Sequence, residues 1–280
     1  MTDSSCDLPA AYLAEHGIIS MQLSFTMNGE TYQCNELDPK EFYARIRAGE
    51  MPITAQVSVK QATDFFEPLL QEGKDILYIA FSSGLSGTYS SGHVAAQELG
   101  EKYPERKIIA IDSLCASLGQ GLLVHKAVQL QGAGKTIEEV ARWVRENLQR
   151  VTHYVAADDL MHLHRGGRVS KASAVMGSVL GIKPIIFLNE AGKLIVIDKA
   201  RGRANALNAI VNHAAKAVSD TENDICFICH ADCEEDAKRL SELITKRFGV
   251  KEFLIHYIGP VIGAHTGPGT LAAFMMGKHR

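Results

Sequence analysis

The sequence predicts an α/β fold in two units. Residues 1–155 read as a mainly parallel sheet flanked by helices, and residues 156–280 as a mixed sheet with helices. Through the first half, short β-rich runs alternate with amphipathic helical stretches, the rhythm of parallel strands joined by helical crossovers. The second half adds a hairpin pattern to that alternation. A length of 280 residues fits two modest domains, and 46% apolar with 22% charged residues is an ordinary globular mixture.

Thr2–Ser5 reads as the end of a strand whose apolar body is missing. A strand of two residues is implausibly short, so the expectation is a native start a few residues upstream. Thr54-Ala-Gln-Val-Ser58 is a loop that supplies an N-cap to a helix opening near Val59. Asp75–Phe81 is a buried strand, followed by a helix over Ser86–Leu99, a strand over Lys107–Asp112 and a helix reaching Leu130. Thr136 with Glu139 three residues on is a capping box, and His153–Ala157 is the next strand. Lys183–Leu188 and Lys193–Asp198 form a hairpin around Asn189-Glu-Ala-Gly192. Then come a helix near Ala204–Val218, a strand at Asp224–Cys229, a helix at Glu234–Phe248 and a strand at Glu252–Ile258. A Gly/Pro-rich turn then leads into a helical run over Thr270–Met276. The chain shows no internal repeat and no low-complexity segment.

No run approaches ~18 uninterrupted apolar residues, so no membrane span is expected. The opening MTDSSCDLPA has neither a basic n-region nor an apolar h-region, so no export signal is expected. Six scattered cysteines then read as reduced thiols in a cytoplasmic protein. A net charge of -3 and a pI near 6.4 argue against nucleic acid as a partner. The charge is uneven. Residues 164–203 hold Arg165, Arg168, Lys171, Lys183, Lys193, Lys199, Arg201 and Arg203 against Glu190 and Asp198, net +6, which leaves -9 for the rest. A solvated face is the usual reading of such a run, but this asymmetry suits an anionic or phosphate-bearing partner.

Ser82-Ser-Gly-Leu-Ser-Gly-Thr-Tyr89 lies where a strand ends and a helix begins, the place where α/β sheets bind ligands. Its glycines admit close backbone approach, helix N–H groups favour an anion, and Ser86 and Thr88 add hydroxyl donors. A plain N-cap is the competing reading. Gly84-Leu-Ser-Gly-Thr88 nearly matches a nucleophile elbow, with Thr88 in place of the last glycine. A serine hydrolase using Ser86 and His265 is therefore the second functional reading. His265 lies in Gly263-Ala-His-Thr-Gly-Pro-Gly269, a turn able to present a donor to a carboxylate or phosphate. Arg165-Gly-Gly-Arg168 suits an anion clamp or docking surface about as well as a solvated helix C-cap. Two look-alikes are set aside. Gly134-Lys-Thr136 lacks the leading glycine of a P-loop, since position 129 is Gln. Cys226-Phe-Ile-Cys-His230 matches a haem-attachment pattern but lies in a strand, and with Cys233 it finds no second pair for zinc, so no metal is expected.

Taken together the motifs resemble the DegV family of bacterial fatty-acid-binding proteins. The matching stretches are Thr2-Asp-Ser-Ser-Cys-Asp-Leu-Pro9, Thr54–Ser58, Ser82–Tyr89 and Asp112-Ser-Leu-Cys-Ala-Ser-Leu-Gly-Gln-Gly121. Further on come Asp159-Leu160, Arg165–Ser170, Gly181-Ile-Lys-Pro184, Lys199 with Arg201, and Gly259–Gly269. They run through nearly the whole chain in family order. The common family form of the first loop has Ser and Pro where this chain has Ala55 and Val57, while Thr54, Gln56 and Ser58 remain.

The resemblance implies an EDD fold with a long-chain fatty acid buried between the two units. It implies carboxylate contacts from Thr54, Ser86, Gly87 and His265, supported by Ser58, Ser83, Thr88 and Gly267. It implies a non-catalytic subunit with no cofactor besides the bound lipid. That subunit presents the carboxylate to a separate ATP-dependent fatty acid kinase subunit, which makes acyl phosphate for phospholipid synthesis. The basic stretch, through Arg165, Arg168, Lys199 and Arg201, is then the expected surface for the kinase or its ATP phosphates.

Overall fold

The computed structural model describes residues 1–158, 160–170, 181–218 and 223–280; Asp159 and Lys171 of the sequence reading lie outside the described residues. The strands are β1 Thr2–Asp3, β2 Ser20–Met21, β3 Ser24–Met27, β4 Glu30–Gln33, β5 Ile53–Ala55, β6 Ile76–Ala80 and β7 Ile108–Asp112. They continue as β8 Tyr154–Ala156, β9 Ile182–Leu188, β10 Leu194–Arg201, β11 Ile225–His230, β12 Glu252–Tyr257 and β13 Leu271–Phe274. The helices are α1 Ala10–Glu15, α2 Pro39–Arg47, α3 Val59–Gln71, α4 Thr88–Lys102, α5 Leu118–Gly132 and α6 Ile137–Asn147. After them come α7 Met161–Arg165, α8 Arg203–Ala217, α9 Glu234–Phe248 and α10 Pro260–Thr266.

In the N-terminal part, β6 and β7 pair in parallel across the crossover helix α4, and β1 pairs in parallel with β2. A three-stranded antiparallel sheet of order β4-β3-β5 joins them. The C-terminal part is one mixed sheet of order β10-β9-β8-β13-β11-β12, parallel only between β11 and β12. The molecule is thus mixed α/β, as expected. Both capping boxes form, Ser58 with Gln61 on α3 and Thr136 with Glu139 on α6.

Three local expectations are corrected. The strand of two residues at Thr2–Asp3 does form, because β6 lies beside it: Ile79 N–H donates to Met1 O at 3.1 Å and Thr2 Oγ1 donates to Ile79 O at 2.9 Å. Thr54 lies in β5, not in a loop, held by antiparallel pairing to Phe25. His265 lies in the last turn of α10, not in a turn ahead of a helix. Pro260 is prearranged for a first helical turn, and Gly267, at φ +75°, ends that helix. The apolar run after it contains β13, whose residues are all buried because the sheet is covered on both faces.

The alternation of side chains along the central strands separates two cores. Leu271 and Ala273 of β13, with Cys226 and Ile228 of β11, pack under α8 and α9 against Ile210 and Leu240. Ala272 and Phe274, with Phe227 and Cys229, face the N-terminal part and join Phe25 and Phe42. Helix α10 crosses between the two parts. The Tyr43 hydroxyl donates to Ile258 O at 2.7 Å, and Gly259 N–H donates to Asp7 Oδ1 at 3.0 Å. A Cβ on Gly263 would stand 2.4 Å from the Tyr43 hydroxyl, so α10 seats this closely only with glycine there. The Ser117 hydroxyl, at the start of α5, donates to the second Asp7 oxygen.

Burial, with Asp3 nearby, raises the Asp7 carboxyl to about 7 against the pull of its two donors. A raised carboxyl favours the fold below its unfolded value near 4, and that contribution is lost as pH climbs through 7. Asp7→Asn should therefore gain stability relative to the wild type between pH 5 and pH 8, by a few kcal/mol in urea denaturation. A stability difference flat across that range would count against a buried, titrating Asp7.

Candidate functional site

A cavity of about 440 Å³ lies between the inner face of the six-stranded sheet and the N-terminal loops, within the ordinary range of about 300–1,000 Å³ for small-molecule sites. Its sheet wall is apolar: Val155 from β8, Ile186 and Leu188 from β9, Cys229 from β11, Ala272 and Phe274 from β13. These are the side chains that strand alternation turns inward. The wall continues through Leu163, Leu194, Ile258 and Val261.

The polar lining gathers where β5, the β6–α4 loop and α10 meet. Thr54 Oγ1 and His265 Nε2 are 2.8 Å apart. The Arg168 guanidinium donates from Nε to Leu85 O at 3.2 Å and from Nη1 to Gly166 O. Next to Leu85, Ser86 Oγ accepts from Thr88 N–H at 3.2 Å and lies 2.9 Å from Thr88 Oγ1. Thr88 Oγ1 is 3.4 Å from Val57 N–H, which donates to it. When the Thr88 hydroxyl donates to Ser86, the Ser86 proton is left for an acceptor in the cavity. Gln56 closes over the loop: a Cβ on Gly87 would stand 2.2 Å from its Oε1. The β9–β10 hairpin rests on the same loop, with Ser82 Oγ donating to Gly192 O at 2.8 Å. A Cβ on Gly84 would stand 2.5 Å from that carbonyl.

Burial first, and the Arg168 charge second, push the His265 imidazole down to about 4. It is neutral at pH 7, and its Nδ1 edge lies against Gly166, where a Cβ would stand 2.1 Å away. When Nε2–H donates to Thr54, the Thr54 proton too is free for a ligand. Burial also lowers the Arg168 guanidinium, which remains the cation of the site. Two or three neutral donors beside one fixed cation make a receptor for a carboxylate at the end of an apolar chamber.

Thr54, Ser86 and His265 thus line one cavity, the three residues that the family resemblance grouped. Gly87 and Thr88 shape the Ser86 turn from behind, and Ser58 caps α3. Ser83 N–H donates to Asp112 Oδ1 at 3.1 Å, fixing the loop rather than lining the cavity. Gly267 packs on the His162 ring. Lys199 and Arg201 are exposed on β10, away from the cavity. The sequence reading offered Arg168 as an anion clamp or a docking residue, and in the structure it lines the cavity. Gln56 and Ser117 were also not singled out, and Ser117 lines the wall while donating to Asp7.

A family model described as DegV family matches residues 1–278. A DegV domain-containing protein of Clostridium perfringens is 44% identical over 279 residues, covering 99% of this chain and 96% of its own. Among solved structures, a DegV family protein of Thermus thermophilus described for its fatty acid binding superposes with a TM-score of 0.88 at 28% identity, covering 99% and 98% of the two chains. DegV of Bacillus subtilis, described as a fatty acid binding protein, superposes with a TM-score of 0.83 at 30% identity, with the same coverage.

A proton NMR titration should find His265 neutral at pH 6 and titrating near 4. Removing the neighbouring charge in Arg168→Gln should move its midpoint upward. A wild-type midpoint near the ordinary value of about 6.5 would refute the buried, neutral imidazole.

Proposed function

The chain belongs to the DegV family, and from that premise we propose that it binds a long-chain fatty acid, tail in the apolar cavity and carboxylate at the Thr54–Ser86–His265 cluster. The observation that carries this reading is one apolar chamber ending in neutral donors and, among the described residues, one lining cation, Arg168. Burying ~15 methylenes at ~0.8 kcal/mol each supplies ~12 kcal/mol of gross transfer energy. Ordering of the chain and opening of the cavity reduce that figure but leave tight retention. Stripping water from the carboxylate costs several kcal/mol unless donors replace it, which is the task of Thr54, Ser86 and Arg168. The ligand lies between the proposed units, residues 1–155 and 156–280, since both contribute walls.

In this reading the protein is a binding subunit working in the cytoplasm with a separate ATP-dependent kinase subunit. A carboxylate oxygen attacks the γ-phosphorus of ATP held by that partner. The new O–P bond forms as the bond to the β,γ-bridging oxygen breaks, and the electron pair leaves with ADP. No proton moves and no protein nucleophile takes part. Exposed Lys199 and Arg201 on β10 present positive charge to the kinase subunit or the phosphates of its nucleotide. A serine hydrolase would instead pair Ser86 Oγ with His265 Nε2. Here Thr54 lies at that nitrogen and Thr88 at that hydroxyl, an arrangement that favours holding over attacking.

Mass spectrometry of an organic-solvent extract of the purified protein should show a stoichiometric long-chain fatty acid. Thr54→Val and Ser86→Ala should each weaken binding about tenfold while the melting temperature holds. An empty extract, with ester turnover abolished by Ser86→Ala, would establish the hydrolase instead. In coupled assays with the kinase, Lys199→Glu with Arg201→Glu should cut turnover severalfold and leave the lipid bound. Unchanged turnover would remove β10 from the docking surface.

A further inference from the structure

The apolar chamber has a second polar spot, apart from the cluster that meets the carboxylate. Ser117 and His153 line its wall beside Cys229, and all three are buried. We propose that this spot is a hydroxyl subsite, which accepts an alcohol group carried partway along the acyl chain. The ligand class is then a mid-chain hydroxy fatty acid, and the inference rests on the fatty-acid reading above.

Position is the first argument. Ile258, Val261, Ile262 and His265 all line the chamber, so one face of α10 runs along it. His265 marks the carboxylate end. Ser117 lies at the other, because Asp7 accepts both from the Ser117 hydroxyl and from the N–H of Gly259, the residue before α10. The 7 residues of α10 span ~10 Å, which reaches roughly the middle of an extended stearate chain.

The way the spot is held is the second argument. Ser117 has φ +53°, in the left-handed region that glycine would occupy without strain. A serine there instead sets a hydroxyl on the buried Asp7 carboxyl at the chamber wall. Behind it, Ala116 N–H donates to His153 Nε2 at 3.3 Å, and His153 Nδ1 lies 3.0 Å from Val151 O. Those two bonds fix the imidazole as the Nδ1–H tautomer and tie the Ala116–Ser117 turn to the sheet.

Hydrogen-bond accounting is the third argument. The Ser117 proton is committed to Asp7, so its oxygen is left as an acceptor. Donation to a carboxyl group polarises that hydroxyl and strengthens it in this role. A methylene packed there leaves the acceptor unanswered in an apolar chamber. An alcohol on the ligand donates to it, whereas a ketone has no proton to give. Both His153 nitrogens are already engaged, so Ser117 is the residue that discriminates. The Cys229 thiol beside it is a weak donor for the alcohol oxygen.

The test is calorimetric titration of the delipidated protein with three probes: stearate, 10-hydroxystearate and 10-oxostearate. The wild type should bind the hydroxy acid at least as tightly as stearate, and about tenfold or more tighter than the oxo acid. Ser117→Gly removes the hydroxyl in a backbone conformation that glycine accepts, and should lower the ratio of hydroxystearate to stearate affinity about tenfold. A wild type that binds stearate but holds the hydroxy acid no better than the oxo acid overturns the subsite and leaves the fatty-acid reading standing. An unchanged ratio in Ser117→Gly also overturns it. The wild-type ranking needs no variant, so it decides the matter even where Ser117→Gly fails to fold. Failure of wild-type stearate binding overturns the fatty-acid reading, and the subsite with it.

Discussion

The hydrogen bond between Thr54 and His265 joins residues 211 positions apart in the sequence, and the site depends on it. One partner is on β5, paired into the small antiparallel sheet of the N-terminal part. The other is on α10, which the six-stranded sheet delivers through β12 and the Ile258–Gly259 corner. A shift of either part by about one ångström would pull the pair outside hydrogen-bonding range. The Asp7 and Tyr43 contacts to that corner act earlier in the same chain of dependence, because they set where α10 begins. The Tyr43 contact is buried and the Asp7 contact partly so, and loss of either leaves a polar group short of a partner as well as a displaced helix.

Sheet geometry decides what lies behind the polar cluster. A strand shows alternate residues to opposite faces, so one sheet serves two cores at once. On β13, Leu271 and Ala273 satisfy the helices, which leaves Ala272 and Phe274 to form the cavity wall. A shift of one residue in the register of β13 would exchange those sets, setting Leu271 and Ala273 toward the cavity. Antiparallel pairing on both sides of β13, to β8 and β11, holds that register twice over. Small residues at Ala157 and Ala272 keep the chamber open where larger ones would fill it.

Much of this was legible in the sequence, for identifiable reasons. The strands β6 and β7, the β9–β10 hairpin and the capped helices α3 and α6 carry strong local signals, and they formed. The segment from residue 10 to 50 was not legible. Its strands are two to four residues long, and β4 is largely exposed, so no apolar period develops. The Thr270–Met276 run misled because a fully buried strand loses its alternation and reads like a buried helix. Local motifs marked Ser86 and His265, and the family resemblance added Thr54. The inward course of Arg168 follows instead from the seat that Leu85 O and Gly166 O give its guanidinium, and a sequence read one residue at a time has no access to that.

The neutral form that burial favours for His265 suits a site that, on the proposed reading, holds a carboxylate without passivating it. A cationic imidazole beside Arg168 would place two positive charges on one anion and draw electron density from both oxygens. It would also have to be desolvated in the same chamber. Burial and the Arg168 charge keep the ring neutral instead, so on the proposed reading one guanidinium would balance the carboxylate beside the Thr54 and Ser86 hydroxyls. Neutral donors bind more weakly than charged ones, so a carboxylate held mainly by hydroxyls keeps more of its nucleophilicity. Tight retention would, on the proposed reading, come from the buried chain, and the cluster at its end would orient the head group rather than supply most of the affinity. On that reading, such a division would hold the ligand firmly while leaving one carboxylate oxygen reactive.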